Sequence, residues 1–186
     1  MKLYIKYMVS LRCKMTVQAA LQQLGLLYTF IDLGIVELVE EISYSQREAL
    51  KEILLQSELE LMDDKKSLLI EKMTAVVIEM IHHNEQLPKV NYSEYISQKV
   101  GDDYTYLSNL FPEVKGTTLQ QFIIFHKIER VKELILYDEL TLTEIAYRLR
   151  YSSRSHLSNQ FKKVTGLSPS FYKQIKYKRK ANLEHL

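Results

Sequence analysis

Residues 140–172 read LTLTEIAYRLRYSSRSHLSNQFKKVTGLSPSFY, and the rest of the chain is organised around this stretch. Thr141 and Glu144 make a T-x-x-E capping box ahead of apolar Ile145, Ala146 and Leu149, which predicts a short helix. Apolar periodicity lapses over 150–152. It resumes in a second helix over 153–164, with Leu157, Phe161 and Val164 at i, i+4, i+7 spacing. Two short helices joined by a tight turn form a helix-turn-helix, whose second helix can enter a DNA major groove. The face opposite the apolar stripe carries Arg154, Ser155, Ser158, Asn159 and Lys162, with Lys163 beside them. These side chains can donate to base edges or phosphates. After Gly166, Ser168 and Pro169 set a serine cap with proline at the first helical position.

The pattern I-A-x-x-x-x-[FY]-S-x-x-S-x-L-S-x-x-F-K-K-x-x-G-x-[ST]-P-x-x-[FY] resembles the second helix-turn-helix of AraC-type transcription regulators. Ile145, Ala146, Ser155, Phe161, Lys162, Gly166, Pro169 and Tyr172 all fit it. Two residues depart from the family habit. Arg150 stands where glycine is usual in the turn, and Tyr151 replaces phenylalanine.

Net charge over the 186 residues is only +2, which by itself names no partner. The charge is unevenly spread. Residues 1–84 hold 9 Lys/Arg against 12 Asp/Glu, whereas residues 85–186 hold 16 against 11. From Arg148 to Lys180 there are ten basic residues and no acidic one, the electrostatic footprint of phosphate contacts. The single cysteine excludes an intramolecular disulfide framework and suits a reducing cytosol. With no signal peptide and no apolar run near ~20 residues, the expectation is a soluble cytoplasmic chain with no membrane contact.

The N-terminal part predicts alternating elements: a strand over 3–8, a helix over 12–24 ended by Gly25, and strands over 28–33 and 35–41 flanking Gly34. Ser43 and Gln46 make another capping box, opening a helix to about residue 56, and a short strand follows over 59–61. This βαββαβ order is that of a ferredoxin-like fold. The stretch Met8-Val9-Ser10-Leu11-Arg12-Cys13, with the helix and hairpin behind it, resembles a heavy-metal-associated domain. That family binds soft metals through M-x-C-x-x-C. Here Ser10 occupies the first thiolate position, so Cys13 alone is a weak metal candidate, and no cofactor is expected. Its place near a helix N-terminus, beside Arg12 and Lys14, can lower the thiol pKa. Met8 is expected to fill the core behind the loop.

Residues 64–83 read as one helix whose apolar positions cover more than one stripe, so it should be buried on two sides, packing against both domains or pairing with its copy in a homodimer. His82 and His83 at its end point apart, which suits dipole compensation better than metal binding. The linker falls at 84–91, with Pro88.

From 91 to about 176 the AraC-type resemblance continues as a pseudo-repeat with an offset of 50. YLSNLFPEVKG (106–116) matches HLSNQFKKVTG (156–166), and YISQKV (95–100) is set against IAYRLR (145–150). Thr117 with Gln120 caps a joining helix through Tyr137, about 30 Å long, near the ~34 Å repeat of B-DNA. The first copy offers Thr105, Tyr106, Ser108 and Asn109 to DNA, behind an Asp103 cap. It is poorer in charge, with Lys99 and Lys115 against Glu94, Asp102, Asp103 and Glu113. Pro112 replaces Lys162. The second copy is therefore the expected anchor.

The expected fold is α+β: a small βαββαβ domain over 1–62, a connecting helix and linker over 63–90, an all-α double helix-turn-helix domain over 91–176, and a tail over 177–186. The function this implies is sequence-specific binding of double-stranded DNA by a transcription regulator, its effector unknown. The alternative is a metal-responsive or metal-carrying protein, against which the missing thiol counts. The chain shows no paired catalytic carboxylates in a cleft-forming context, no phosphate loop and no nucleophile elbow, so no enzyme is expected.

Overall fold

The computed structural model describes residues 1–83 and 90–175. The N-terminal elements are β1 (Lys2–Lys6), α1 (Leu11–Gln23), β2 (Tyr28–Asp32), β3 (Ile35–Leu38), α2 (Tyr44–Leu55) and β4 (Glu60–Leu61). The four strands form an antiparallel sheet in the order β2-β3-β1-β4. Both bonds of the Ser43/Gln46 capping box are made. Strand β3 ends at Leu38, earlier than its I-V-E-L-V-E alternation implied, where exposed Glu40 and Glu41 leave the ladder.

Alternation along β1 decides what the sheet covers. Leu3 and Ile5 join Val17, Leu21, Leu50 and Leu54 in the core beneath α1 and α2. Tyr4 and Lys6 point to the other face, yet they too are buried, at 4% and 7% exposed. A sheet buried on both faces needs a second layer.

That layer begins with α3 (Asp64–Ile78), opened by Asp63, whose carboxylate accepts from the Lys66 amide at 2.8 Å. The helix runs on into a π-helical turn, Glu79–His83. Leu69, Ile70, Met73, Val76, Val77, Met80 and Ile81 are buried, whereas Leu68 is exposed. The spacing traces one broad stripe, so burial on two sides is corrected to one. Tyr4 Oη donates to Glu71 on this helix at 3.3 Å.

The remaining helices are α4 (Tyr92–Val100), α5 (Tyr104–Lys115), α6 (Leu119–Tyr137), α7 (Leu142–Arg148) and α8 (Arg154–Thr165), and residues 169–175 are also helical. Two compact units form. One joins Met1–Thr74 to Ile96–Leu119, and the other comprises the described residues of Ala75–Tyr95 and of the chain from Gln120. The sheet and α5 thus share a unit, while α7 and α8 belong to the other. Most of the expected 84–91 linker and the 177–186 tail lie outside the described residues.

The repeat register needs one correction. From the helix caps onward the offset is 50, since Asp103 and Ser153 cap α5 and α8. Upstream it is 49. Buried Ile96 and Val100 match buried Ile145 and Leu149, and the left-handed turn residue is Gly101 (φ 88) in one copy and Arg150 (φ 51) in the other. The second turn is one residue longer, which letter matching alone concealed.

Candidate nucleic-acid interface

In the second copy, the Thr141/Glu144 capping box is closed and α7 packs on α8. Ser153 Oγ accepts the His156 amide at 3.1 Å, satisfying one of the free N–H groups at the start of α8. Leu157 and Phe161 are fully buried, and the Phe161 ring meets Tyr172 edge to face at 5.5 Å. Val164, expected in the same stripe, is 41% exposed. With Leu157 and Phe161 sunk in the core, Arg154, Ser155, Asn159, Lys162 and Lys163 are exposed and Ser158 is half-buried. Neither Arg154 nor either lysine has an ion-pair partner among the described residues. Spacings of three and four align Arg154, Ser158 and Lys162, and likewise Ser155, Asn159 and Lys163, along one face.

The first copy starts in the same way. Asp103 accepts the Thr105 and Tyr106 amides at 2.8 and 3.1 Å, and those hydrogen bonds hold its carboxyl below the usual range. Thr105, Tyr106 and Asn109 are exposed. Ser108 is half-buried and its hydroxyl donates back to the Thr105 carbonyl at 3.0 Å, so it has less to offer DNA than expected.

The far end of α5 is covered by the sheet. Lys6 Nζ lies 3.0 Å from both Glu60 and Glu113. The Tyr7 amide donates to the Glu113 carbonyl at 3.0 Å, and Lys115 Nζ sits 5.6 Å from the Tyr4 ring centroid. Gly34, at the β2–β3 turn, approaches so closely that a Cβ there would collide with the Val114 carbonyl oxygen. Val114 is 2% exposed, where its repeat-mate Val164 is open. None of these contacts was read from the sequence. The only signal was chemical: Pro112 and Glu113 stand where the second copy has Lys162 and Lys163.

Two polar clusters in the second unit were also missed. Lys127 of α6 is 6% exposed, donates to Tyr92 Oη at 3.2 Å and lies 3.9 Å from the centroid of the Tyr151 ring. Burial pushes its pKa down to about 8, while the ring face favours the charged form. His82, in the last turn of its helix as expected, also shares a hydrogen bond with His126 at 3.2 Å and lies 3.5 Å from Glu133.

At the β1–α1 loop, Ser10 caps α1, and its Oγ lies 3.2 Å from Cys13 Sγ. That hydrogen bond lowers the thiol pKa. Met8 is buried in the core as expected, and Met15 is exposed. One thiol beside a serine hydroxyl does not fit a soft metal. Among the described residues no cluster of three or more His, Cys, Asp or Glu is placed to hold an ion.

A protein family described as a helix-turn-helix domain matches residues 96–175. An uncharacterized HTH-type transcriptional regulator of Staphylococcus aureus strain MSSA476 is 32% identical over 93 residues, 50% of this chain and 12% of that protein. The probable transcriptional regulator LumQ of Photobacterium leiognathi is 26% identical over 119 residues, 64% of this chain and 46% of LumQ. The chain therefore spans less than half the length of either relative. In fold, the helix-turn-helix domain is similar to the C-terminal domain of AraT, a response regulator from Geobacillus stearothermophilus (TM-score 0.50, 23% identity, 57% of this chain and 84% of that one). It is also similar to a transcriptional regulator with an AraC-type DNA-binding domain from Chromobacterium violaceum (TM-score 0.50, 15% identity, 60% and 95%). Among the described residues no helix is long and apolar enough to cross a membrane.

Proposed function

We propose that this chain is a sequence-specific DNA-binding transcription regulator of AraC type, with α8 as its main reading helix. One observation carries the reading: α8 buries Leu157 and Phe161 and leaves Arg154, Ser155, Asn159, Lys162 and Lys163 exposed on its other side. Arg154, in the first turn, suits a bidentate contact to guanine, while the two lysines suit phosphates. Helix α5 reads with the neutral donors Thr105, Tyr106 and Asn109. Helix α6, 19 residues and about 28 Å long, is of the right order to serve two successive major grooves. Residues 91–176 act as the reading domain in a cytoplasmic protein, and the 64–83 helix is the place for a homodimer contact.

The N-terminal βαββαβ module, with its β2-β3-β1-β4 sheet, is read as ferredoxin-like and as a degenerate heavy-metal-associated domain. Its role is to seat α5, through Lys6, Tyr7 and Gly34.

Arg154→Ala tests the function. On a duplex selected by the wild-type chain from random sequence, it should cost ~1–3 kcal/mol and relax preference at one base position. Equal losses on selected and random DNA would remove Arg154 from base reading. Failure of the wild type to retain any duplex in a salt-dependent way would end the proposal.

A further inference from the structure

At the end of α7 and the turn that follows it lies a surface cleft of about 410 Å³, lined by Tyr147, Arg148, Arg150, Tyr151 and Ser152. Its chemistry is one-sided. Neither guanidinium makes an ion pair or hydrogen bond among the described residues, and no carboxylate lines the walls. Tyr151 is 7% exposed, and its buried hydroxyl has no hydrogen-bond partner among the described residues. One face of its ring takes Lys127 Nζ, and the ring lies perpendicular to that of His156, whose Nδ1 lies 2.9 Å from Ser152 Oγ. The cleft walls are thus anchored from behind.

Arg150 holds a left-handed backbone, φ 51, which a branched-chain or long side chain adopts only at a cost. The same turn position in the first copy is Gly101, which adopts it freely. Backbone strain that the repeat shows to be avoidable marks a side chain kept for what it does. The second departure from the usual pattern, Tyr151 in place of phenylalanine, lines the same cleft. Two unpaired guanidiniums with a serine hydroxyl present forked N–H donors that match tetrahedral oxyanions.

We infer that this cleft binds a phosphate group, gripped by Arg148 and Arg150. The phosphate has two possible sources, a phosphodiester of the DNA backbone or a free phosphorylated small molecule. The first rests on the DNA-binding reading given above, and the second does not. In the first case the turn adds charge contacts beside the α8 lysines and carries no base preference.

The experiment uses the full chain as wild type, Arg150→Gly and Arg148→Gln. Each is measured for duplex affinity across salt concentration, for binding of inorganic phosphate by calorimetry without DNA, and for thermal unfolding. If the phosphate belongs to DNA, each variant lowers the slope of log affinity against log salt by about 0.9, alike on selected and random duplexes. Arg150→Gly then melts no lower than wild type, because glycine relieves the left-handed turn. If the ligand is free, inorganic phosphate binds wild type at one saturable site, both variants lose it, and the salt slope does not move. Unchanged slopes together with no saturable phosphate binding overturn the inference. A wild type that binds no DNA would fail the functional reading alone, since the phosphate titration still decides the cleft.

Discussion

Helices α5 and α8 open with the same device, a polar cap whose oxygen accepts amides of the first turn, and both close on a left-handed glycine, Gly116 or Gly166. Between those ends they are treated differently. The last turns of α5 lie under the N-terminal sheet, with Glu113 paired to Lys6 and Val114 against Gly34. The matching turns of α8 are exposed and carry Lys162 and Lys163. One helix is held by protein, and the other leaves its lysines exposed, as the proposed phosphate contacts require. The acidic balance of the first copy, which alone would suggest repulsion from DNA, is partly spent inside the fold, because Glu113 already has a cation.

The strongest way to break this comparison is steric. Gly34→Ala should destabilise the first unit by ~2–4 kcal/mol, because the new Cβ collides with a helix carbonyl and φ there is 76. Gly25→Ala is the control. Its φ of 65 carries similar strain, but its Cβ would meet open space, so its cost should stay near ~1 kcal/mol. Urea unfolding of both variants decides it, and equal costs would mean that α5 is not tightly seated.

Charge sharpens the comparison from the other side. Lys162→Ala with Lys163→Ala should lower the salt slope by about 1.8 and weaken all duplexes alike. Removing Lys6 should instead act on stability. Lys6→Met leaves Glu60 and Glu113 without their cation, costing ~1–2 kcal/mol given their half-exposed carboxylates. Its effect on salt slope should be small.

A gentler test uses the two buried lysines. Burial disfavours the charge on Lys6, but hydrogen bonds to Glu60 and Glu113 outweigh it and raise its pKa. Lys127 has no carboxylate partner among the described residues, and burial lowers it to about 8. The unfolded chain therefore holds a proton on Lys127 that the folded chain releases between about pH 8 and the ordinary lysine value of about 10.5. Stability of the second unit should rise with pH from about 7.5 to 9.5, before the tyrosines titrate. Lys127→Met should flatten that rise. Lys6, whose folded pKa is raised, contributes no slope in this window.

The local devices were legible in the chain because each is written in adjacent residues. The Thr141/Glu144 and Ser43/Gln46 boxes, the βαββαβ order, the Leu157/Phe161 pair and the Asp103 cap all stand where periodicity placed them. What the chain concealed is contact at long range. Lys6 and Glu113 are 107 positions apart, and nothing in either neighbourhood names the other. Tyr151 was legible as a departure from phenylalanine, but not as the wall of a cleft. Val164 misled because spacing put it in the stripe of Leu157 and Phe161, yet it is exposed, whereas its repeat-mate Val114 lies against Gly34. The one-residue difference between the two turns was hidden by matching letters, and it emerged from burial and backbone angle.

The central claim is that α8 anchors the protein on DNA while α5 contributes less. Asn109 and Asn159 are exposed, share a repeat position and differ in surroundings, so matched alanine changes weigh the two helices directly. Affinities of both variants should be measured on one duplex selected by the wild-type chain, at fixed moderate salt. Asn159→Ala should cost ~1–3 kcal/mol, and Asn109→Ala should cost clearly less. A larger loss from Asn109→Ala would contradict the account and make the sheet-held helix the principal reader.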